Sequence, residues 1–356
     1  MFLSFNESYL LFEPFMFLTS CWLVLFKINS SNIKITKECS KKVKTIKLNS
    51  TTPFISIYYY FIFLNLLWIF TFRGRACTVW YNHFNINNFA IYMLYVFTLI
   101  SLALFFFLKT VNSKNVLLKS VDYVFSLNNL VLLLPYLFFT NNVLIFLILI
   151  EVLSVLLFYK LVSSKIWFKG NKGKESNTKN LHNKLPQFYV NMIFFQFWVT
   201  FFSSIFIIYF YANMFLVFGT SDFFVVQILL SGIDKSLMGF NVRVLILVFV
   251  TSVFFKLGVT PFHLFKVEVY KGIPLLSILF YTTFYFSILF LFLIFVLSDF
   301  LVLFSNVYLN FLLVLLLPGV LYCLVLLFDV TLLKAFFAYS TIINVVGLVI
   351  VFISLF

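Results

Sequence analysis

The stretch FKLGVTPFHLFKVEVYKGIP, residues 255–274, follows a long apolar run and sets Lys256 just ahead of Gly258 and Pro261. Its meaning depends on the solvent of the chain. The 356 residues are 63% hydrophobic and 10% charged, with a mean hydropathy of +1.10. That exceeds what a soluble domain buries, so the solvent is lipid. Apolar runs of about 17–25 residues recur, each long enough to cross a hydrocarbon core ~30 Å thick. The alternating segments of about ten residues that a membrane β-barrel needs do not occur. The chain therefore reads as all-α, a polytopic transmembrane bundle of about ten spans. They lie near residues 9–28, 54–72, 89–109, 123–139, 142–162, 188–218, 241–270, 273–297, 301–328 and 332–356. The seventh contains the quoted stretch.

Lys and Arg number 25 against 11 Asp and Glu, a net charge of +14. The excess is concentrated in KINSSNIKITKECSKKVKTIKLNS (27–50), KTVNSKNVLLKS (109–120) and KLVSSKIWFKGNKGKESNTKNLHNK (160–184). All three follow odd-numbered spans and so share one side, which the positive-inside rule makes cytoplasmic or matrix. The charge is topological, which excludes a nucleic-acid partner. Residues 163–187 are rich in Lys, Asn, Ser and Gly and are expected to lack fixed structure. Such a loop sets topology; the alternative is a site for anionic lipid such as cardiolipin, or for a neighbouring subunit.

Cys21, Cys39, Cys77 and Cys323 form no CxxC or Cys/His spacing, and neither GxGxxG nor GxxxxGK[ST] occurs. Metal, iron–sulfur, disulfide and nucleotide chemistry are all without ligands here. No cofactor is expected on this chain. Phe (55 residues) is abundant against 10 Gly and 7 Pro, which suggests A+T-rich coding DNA. The N-terminus, MFLSFNESYLLFEPFMFLTSCWLVLF, is neither an Arg/Ser-rich presequence nor a cleavable signal. It reads as a retained span, and the two features together point to an organelle-encoded protein.

Two charges lie where lipid makes charge costly. In NNVLIFLILIEVLSVLLFYKLV, residues 141–162, Glu151 falls mid-span, with Ser154 as its near polar neighbour. A central acidic residue costs about 2.5–3.5 kcal/mol on insertion scales. It needs a partner or a watery cavity, as a structural ion pair or as a functional group. Lys256 is ten residues before Lys266, roughly 15 Å along a straight helix. With Arg243 marking one interface and Lys266, Glu268 and Lys271 the other, Lys256 lies near the midplane. Pro261 has no N–H for the carbonyl of Leu257, and Thr260 before it is pushed from helical angles. Gly258 lets the backbone bend. The helix should break after Lys256, leaving carbonyls that need water or a cation, inside protein or beside a cavity. Desolvation and an approaching carboxylate act in opposite senses on a buried lysine, so Glu151 and Lys256 form a switchable proton carrier. His263, two turns on, is a relay candidate or a structural histidine bonded to the loosened backbone. Lys334 opens the last span and is expected at an interface.

These residues resemble a known family. The quoted stretch is similar to the F-K-L-x-x-x-P-F-H-x-W-x-x-D-V-Y-x-G-x-P signature of the NADH dehydrogenase subunit 2 family. Its members are antiporter-like subunits of the membrane arm of respiratory complex I. LLKAFFAYSTIINVVG, residues 332–347, resembles the family's L-K-R-x-L-A-Y-S-S-I-x-H-x-G helix, and EVLSVLLFYKLV, residues 151–162, its E-L-x-S-L-x-x-Y segment. FFSSIFIIYF, residues 201–210, echoes a further stretch. The resemblance implies an antiporter-like fold with a broken seventh helix, and proton transfer by Glu151 and Lys256 within a half-channel. Possible relays are His263, Tyr285 and Lys334. It implies a multi-pass protein of the mitochondrial inner membrane, with basic loops facing the matrix. Flavin, iron–sulfur clusters and ubiquinone would belong to other subunits, and the partners would be other membrane-arm subunits.

The sequence departs from the pattern at Phe265 for tryptophan, Glu268 for aspartate and Asn344 for histidine. The family's eighth-helix lysine would fall near Phe286, where YTTFYFSILF (281–290) offers only Tyr281 and Tyr285 as ionisable groups. Rewiring through Thr282, Thr283 and Tyr285 is one expectation. The family pattern continues for about four more helices, and a separate chain is expected to supply them. The domains expected are 1–122, three helices with basic loops; 123–297, the half-channel bundle; and 298–356, the start of a second half. Two alternatives stand beside the complex I reading: a stand-alone or multisubunit cation/proton antiporter component, and a structural pseudo-subunit without a proton path.

Overall fold

The structure, a computed structural model, describes residues 77–79, 84–111, 121–164, 179–231, 240–301 and 306–354. The expected spans at 9–28 and 54–72 lie outside the described residues, as do most of the basic loops.

A two-stranded antiparallel hairpin comes first, β1 (Cys77–Val79) and β2 (Phe84–Ile86), with Thr78 opposite Asn85. The first helix, α1, is Asn88–Val111. Helix α2 (Val121–Leu133) tightens into a 3₁₀ segment, Leu134–Phe139, where Pro135 in the first turn has no N–H to donate. Helix α3 (Val143–Ser163) starts at Asn142, whose side-chain oxygen accepts the N–H of Leu144 at 2.8 Å. Helix α4 is Lys179–Phe218, 40 residues and so about 60 Å long, twice a hydrocarbon core. Its first turns fall in the 163–187 loop expected to lack structure; residues 179–187 are helical, because the sixth span extends beyond the apolar run. Helix α5 (Phe223–Ser231) is nine residues, too short to cross, and had no counterpart among the expected spans.

The seventh span is two helices, α6 (Phe240–Leu257) and α7 (Leu264–Gly272). The eighth is interrupted too: α8 (Leu275–Phe280) passes through a π-helical turn at Tyr281–Tyr285 into α9 (Phe286–Leu301). Helices α10 (Asn306–Phe328) and α11 (Leu333–Ser354) complete the described chain. Among the described residues, four helices are long and apolar enough to cross a membrane: Val143–Ser163, Gln187–Phe218, Ser277–Ile294 and Leu333–Ser354.

The connectors after the second, fourth and sixth expected spans are laced together. Phe84 bridges Thr140, and Asn142 bridges Asp222. Val143 N donates to Ser221 O at 2.9 Å, Phe223 N to Asn141 O at 2.7 Å, and Asn142 Nδ2 to Asp222 Oδ1 at 3.0 Å. These weakly charged connectors thus share a face, the relation that the placement of the basic loops requires of them.

The long helix α4 backs both halves of the broken span, α3 also packs on it, and α11 covers α7. Between α3, α6 and α9 the core is aromatic. Phe146 stacks on Phe292 with centroids 4.8 Å apart, and Phe249 tilts against both Phe146 (5.8 Å) and Phe210 (4.7 Å). Ring pairs of this kind hold rigid walls around whatever polar groups the bundle encloses.

Candidate functional site

The site forms where α6 stops. Val259 N donates to Phe254 O at 3.1 Å and Gly258 N to Phe255 O at 3.3 Å, the paired bonds of a Schellman cap. Gly258 occupies the left-handed position of that cap, φ +64°, where a side chain is strained. The helix thus ends at Gly258, before Pro261 has a helical bond to lose. The turn that follows docks on α10. Thr260 Oγ1 donates to Leu316 O at 3.2 Å, and a Cβ on Gly319 would overlap the Thr260 side chain. Gly319 admits the break into the bundle.

Lys256, in the last turn of α6, is 5% exposed. Its Nζ lies 3.7 Å from Oε1 of Glu151 on α3, a residue whose side chain is 35% exposed. The pair is an ion contact longer than a hydrogen bond. At that separation, and an effective dielectric near 20, the attraction is on the order of 4 kcal/mol, less for the exposure of the carboxylate. Ser154 Oγ donates to Glu151 O at 2.7 Å and approaches Oε2 at 3.4 Å, which biases the carboxylate's orientation. The two midplane charges named from the sequence are neighbours across two helices.

Lys266 is where the straight-helix reasoning fails. A straight helix sets it roughly 15 Å beyond Lys256, at the membrane interface. The break turns α7, and Lys266 is 0% exposed. Its Nζ donates to Leu257 O at 3.4 Å, the carbonyl that Pro261 leaves without a donor. It also lies 4.1 Å from the centroid of the Phe286 ring, at the position where the resemblance calls for an eighth-helix lysine. Glu268 and Lys271, the other interface markers, pair with each other at 2.6 Å.

The candidate relays divide. His263 is buried, with its ring 6.1 Å from that of Tyr322 on α10; no ion pair or hydrogen bond joins it to Glu151 or Lys256 among the described residues. Tyr285 lies in the π turn, buried and stacked on Tyr281 at 5.2 Å. Lys334 stands at the start of α11; its Nζ donates to Ile273 O at 2.6 Å and reaches Lys271 O at 3.5 Å, so it caps the end of α7. Thr282 donates to Ile278 O and Leu279 O, and Thr283 to Leu279 O, all within their own span. Asn344 is exposed.

Further polar groups line the interior, most of them without a mark in the sequence. Tyr281 Oη donates to Gln196 Oε1 of α4 at 3.3 Å, and its ring meets Tyr270 of α7 edge-on at 6.1 Å. Thr341 of α11 approaches Tyr270 Oη at 3.5 Å. Lys160, late in α3, is 2% exposed, with Nζ 3.3 Å from the Phe280 centroid and 5.6 Å from that of Tyr123. Tyr123 Oη and Ser277 Oγ share a hydrogen bond of 2.6 Å. A lysine flanked by aromatic positions on two other spans was the only signal, and a signal of that kind appears after the helices are packed. Among the described residues, no group of three or more His, Cys, Asp or Glu is placed to hold a metal.

No known family profile matches the chain. A stretch of 39 residues, 11% of this chain, is 51% identical to an uncharacterized mitochondrial protein, ORF4, of Paramecium tetraurelia, and spans 25% of that protein. The fold is similar to a chain of respiratory complex I from Thermus thermophilus with bound aureothin. The TM-score is 0.62 at 15% identity, covering 92% of this chain and 62% of that one. It is equally similar to a chain of the membrane-bound sulfane sulfur reductase, an archaeal respiratory membrane complex. There the TM-score is 0.61 at 13% identity, covering 94% and 64%. The chain thus spans less than two thirds of each of these solved chains. The fold, a polytopic helical bundle, is that of chains in respiratory membrane complexes.

Proposed function

We propose that this chain is a proton-translocating subunit of the membrane arm of respiratory complex I, of the subunit 2 type, with about ten spans in the mitochondrial inner membrane. The observation that carries the reading is the Glu151–Lys256 contact of 3.7 Å at the broken end of α6. The likeness of fold to chains of two respiratory membrane complexes supports it, as does the short stretch shared with a mitochondrial protein. The basic loops face the matrix. Electron transfer from NADH to ubiquinone takes place on other subunits, which hold the flavin and iron–sulfur clusters. Other membrane-arm subunits are its partners.

The geometry works as a charge switch. With Glu151 close, the ammonium of Lys256 is held by Coulomb attraction. When the carboxylate moves away or is neutralised, the desolvated ammonium loses its compensation and gives up its proton. Ser154 and the Schellman cap fix the two resting positions, so a small displacement of α3 against α6 alters the coupling. Moving one charge across 100 mV is worth about 2.3 kcal/mol, within the range of the pair's attraction.

Two measurements test the reading. Mass spectrometry of the native assembly should find this chain beside flavin and iron–sulfur subunits; antiporter-like partners alone would overturn the complex I assignment. In closed vesicles, Glu151→Gln and Lys256→Met should lower the protons moved per NADH oxidised while the assembly persists. An unchanged ratio in both would make the chain a structural subunit without a proton path.

A further inference from the structure

Lys266 has surroundings that its role in the fold does not account for. It is completely buried and enters no ion pair among the described residues. Charge on its Nζ is offset only by Leu257 O at 3.4 Å and the Phe286 ring at 4.1 Å. A cap for α6 would need only a hydrogen-bond donor, and 3.4 Å is near the limit of such a bond. Lys334, which caps α7, makes its bond at 2.6 Å. A cap role therefore explains a donor at this place but not an amine sealed from solvent with no carboxylate beside it.

The stem of Lys266 also runs through the break itself. A Cβ on Gly258 would lie 3.1 Å from Lys266 Cδ and 3.2 Å from the Phe265 ring, so the open flank of Gly258 is the space the lysine uses. The carbonyl it reaches belongs to the residue directly after Lys256. One lysine thus stands in the last turn before the break, and the amine of another, from beyond it, reaches back to the freed helix end. Their surroundings differ in kind: Lys256 has a carboxylate partner, whereas Lys266 has a carbonyl and a ring.

We infer that Lys266 is a second proton-carrying amine of this chain, which receives across the helix break the proton that Lys256 releases. The inference rests on the proton-translocating reading given above. In the step, Nζ of Lys256 gives up a proton and becomes a neutral amine once the Glu151 carboxylate has moved away or been neutralised. The neutral amine of Lys266 takes that proton and becomes an ammonium, held by Leu257 O and the Phe286 ring. One proton moves and the net charge of the pair of lysines is unchanged. The flexible four-carbon stems of the two lysines carry the exchange. Unequal stabilisation on the two sides of the break, by a carboxylate before it and a ring after it, separates the states in which each amine is charged.

The test uses the intact membrane assembly in closed vesicles and reads protons moved per NADH together with the amount of assembled complex. Lys266→Gln keeps a hydrogen-bond donor for Leu257 O but cannot carry a proton. It should assemble at the parent level and lower the proton ratio as far as Lys256→Met does. The double change Lys266→Met with Phe286→Lys moves the amine to the facing helix and should restore the ratio. If Lys266→Gln assembles and pumps normally, Lys266 is a cap and the inference fails. If neither variant assembles, its role is structural and the inference fails likewise. Loss of pumping in Glu151→Gln and Lys256→Met with normal pumping in Lys266→Gln would sink this inference alone. Normal pumping in Glu151→Gln and Lys256→Met would sink the parent reading.

Discussion

The two halves of the broken span end alike and differ in what surrounds the end. Helix α6 stops at Leu257 and helix α7 at Gly272. At each stop a lysine from outside the helix donates to a terminal carbonyl: Lys266 to Leu257 O, and Lys334 to Ile273 O just beyond α7. The α7 end is partly open, and there the bond is short. The α6 end is sealed and the bond is long. A helix terminus attracts a cation at either place, because its free carbonyls and dipole act over the last turn. Each end also meets a second lysine with its own carboxylate, Lys256 with Glu151 and Lys271 with Glu268, but only at the sealed end is that lysine buried. The same capping chemistry is thus ordinary at one end, and at the other it becomes part of a cluster of charge that lipid cannot solvate.

Substitutions can break that comparison, in order of expected size. Glu151→Ala leaves the Lys256 ammonium buried without its partner. Removing one member of a buried pair costs about 3–5 kcal/mol, and the exposure of Glu151 puts this case at the low end. Lys256→Met should cost less, since water reaches the carboxylate left behind. Thermal unfolding of the purified assembly would show the asymmetry, and equal shifts would refute the unequal burial of the two groups. Next is Gly258→Val, which forces a β-branched residue into φ +64° and crowds the Lys266 stem. Strain of this kind costs about 1–3 kcal/mol. The variant should also weaken the link between α6 and α7, seen as faster hydrogen exchange at Val259 and Phe262; unchanged exchange would mean that the cap does not hold the break. The smallest effect belongs to Lys334→Met, which removes the accessible cap of α7 and costs about 0.5–1 kcal/mol. It should leave protons moved per NADH unchanged. A fall in pumping as large as that of Lys256→Met would erase the distinction between the two helix ends.

Parts of this arrangement are written locally. Gly258 and Pro261 stand where α6 ends, since a left-handed cap and a missing N–H are properties of single residues. Glu151 and Lys256 stand out because a charge amid apolar residues is visible in one dimension. Lys266 was misplaced for the opposite reason: its depth was counted along a straight helix, and the chain turns at residues 258–263. The π turn at Tyr281–Tyr285 carries no comparable mark in YTTFY, and the extension of α4 back to Lys179 runs through a stretch whose composition reads as a solvated loop.

The amino-acid sequence by itself determined the solvent, the helical class, the break in the seventh span and the two charges set amid apolar residues. Each of these follows from hydropathy, backbone sterics or the cost of charge in lipid, all of which act on a residue and its immediate neighbours. The tertiary structure alone decided which groups meet: Glu151 with Lys256, Lys266 with Leu257 O and the Phe286 ring, Lys334 with the end of α7. Those pairings depend on how one helix turns against another. Long-range packing sets that angle, and no local rule of spacing contains it.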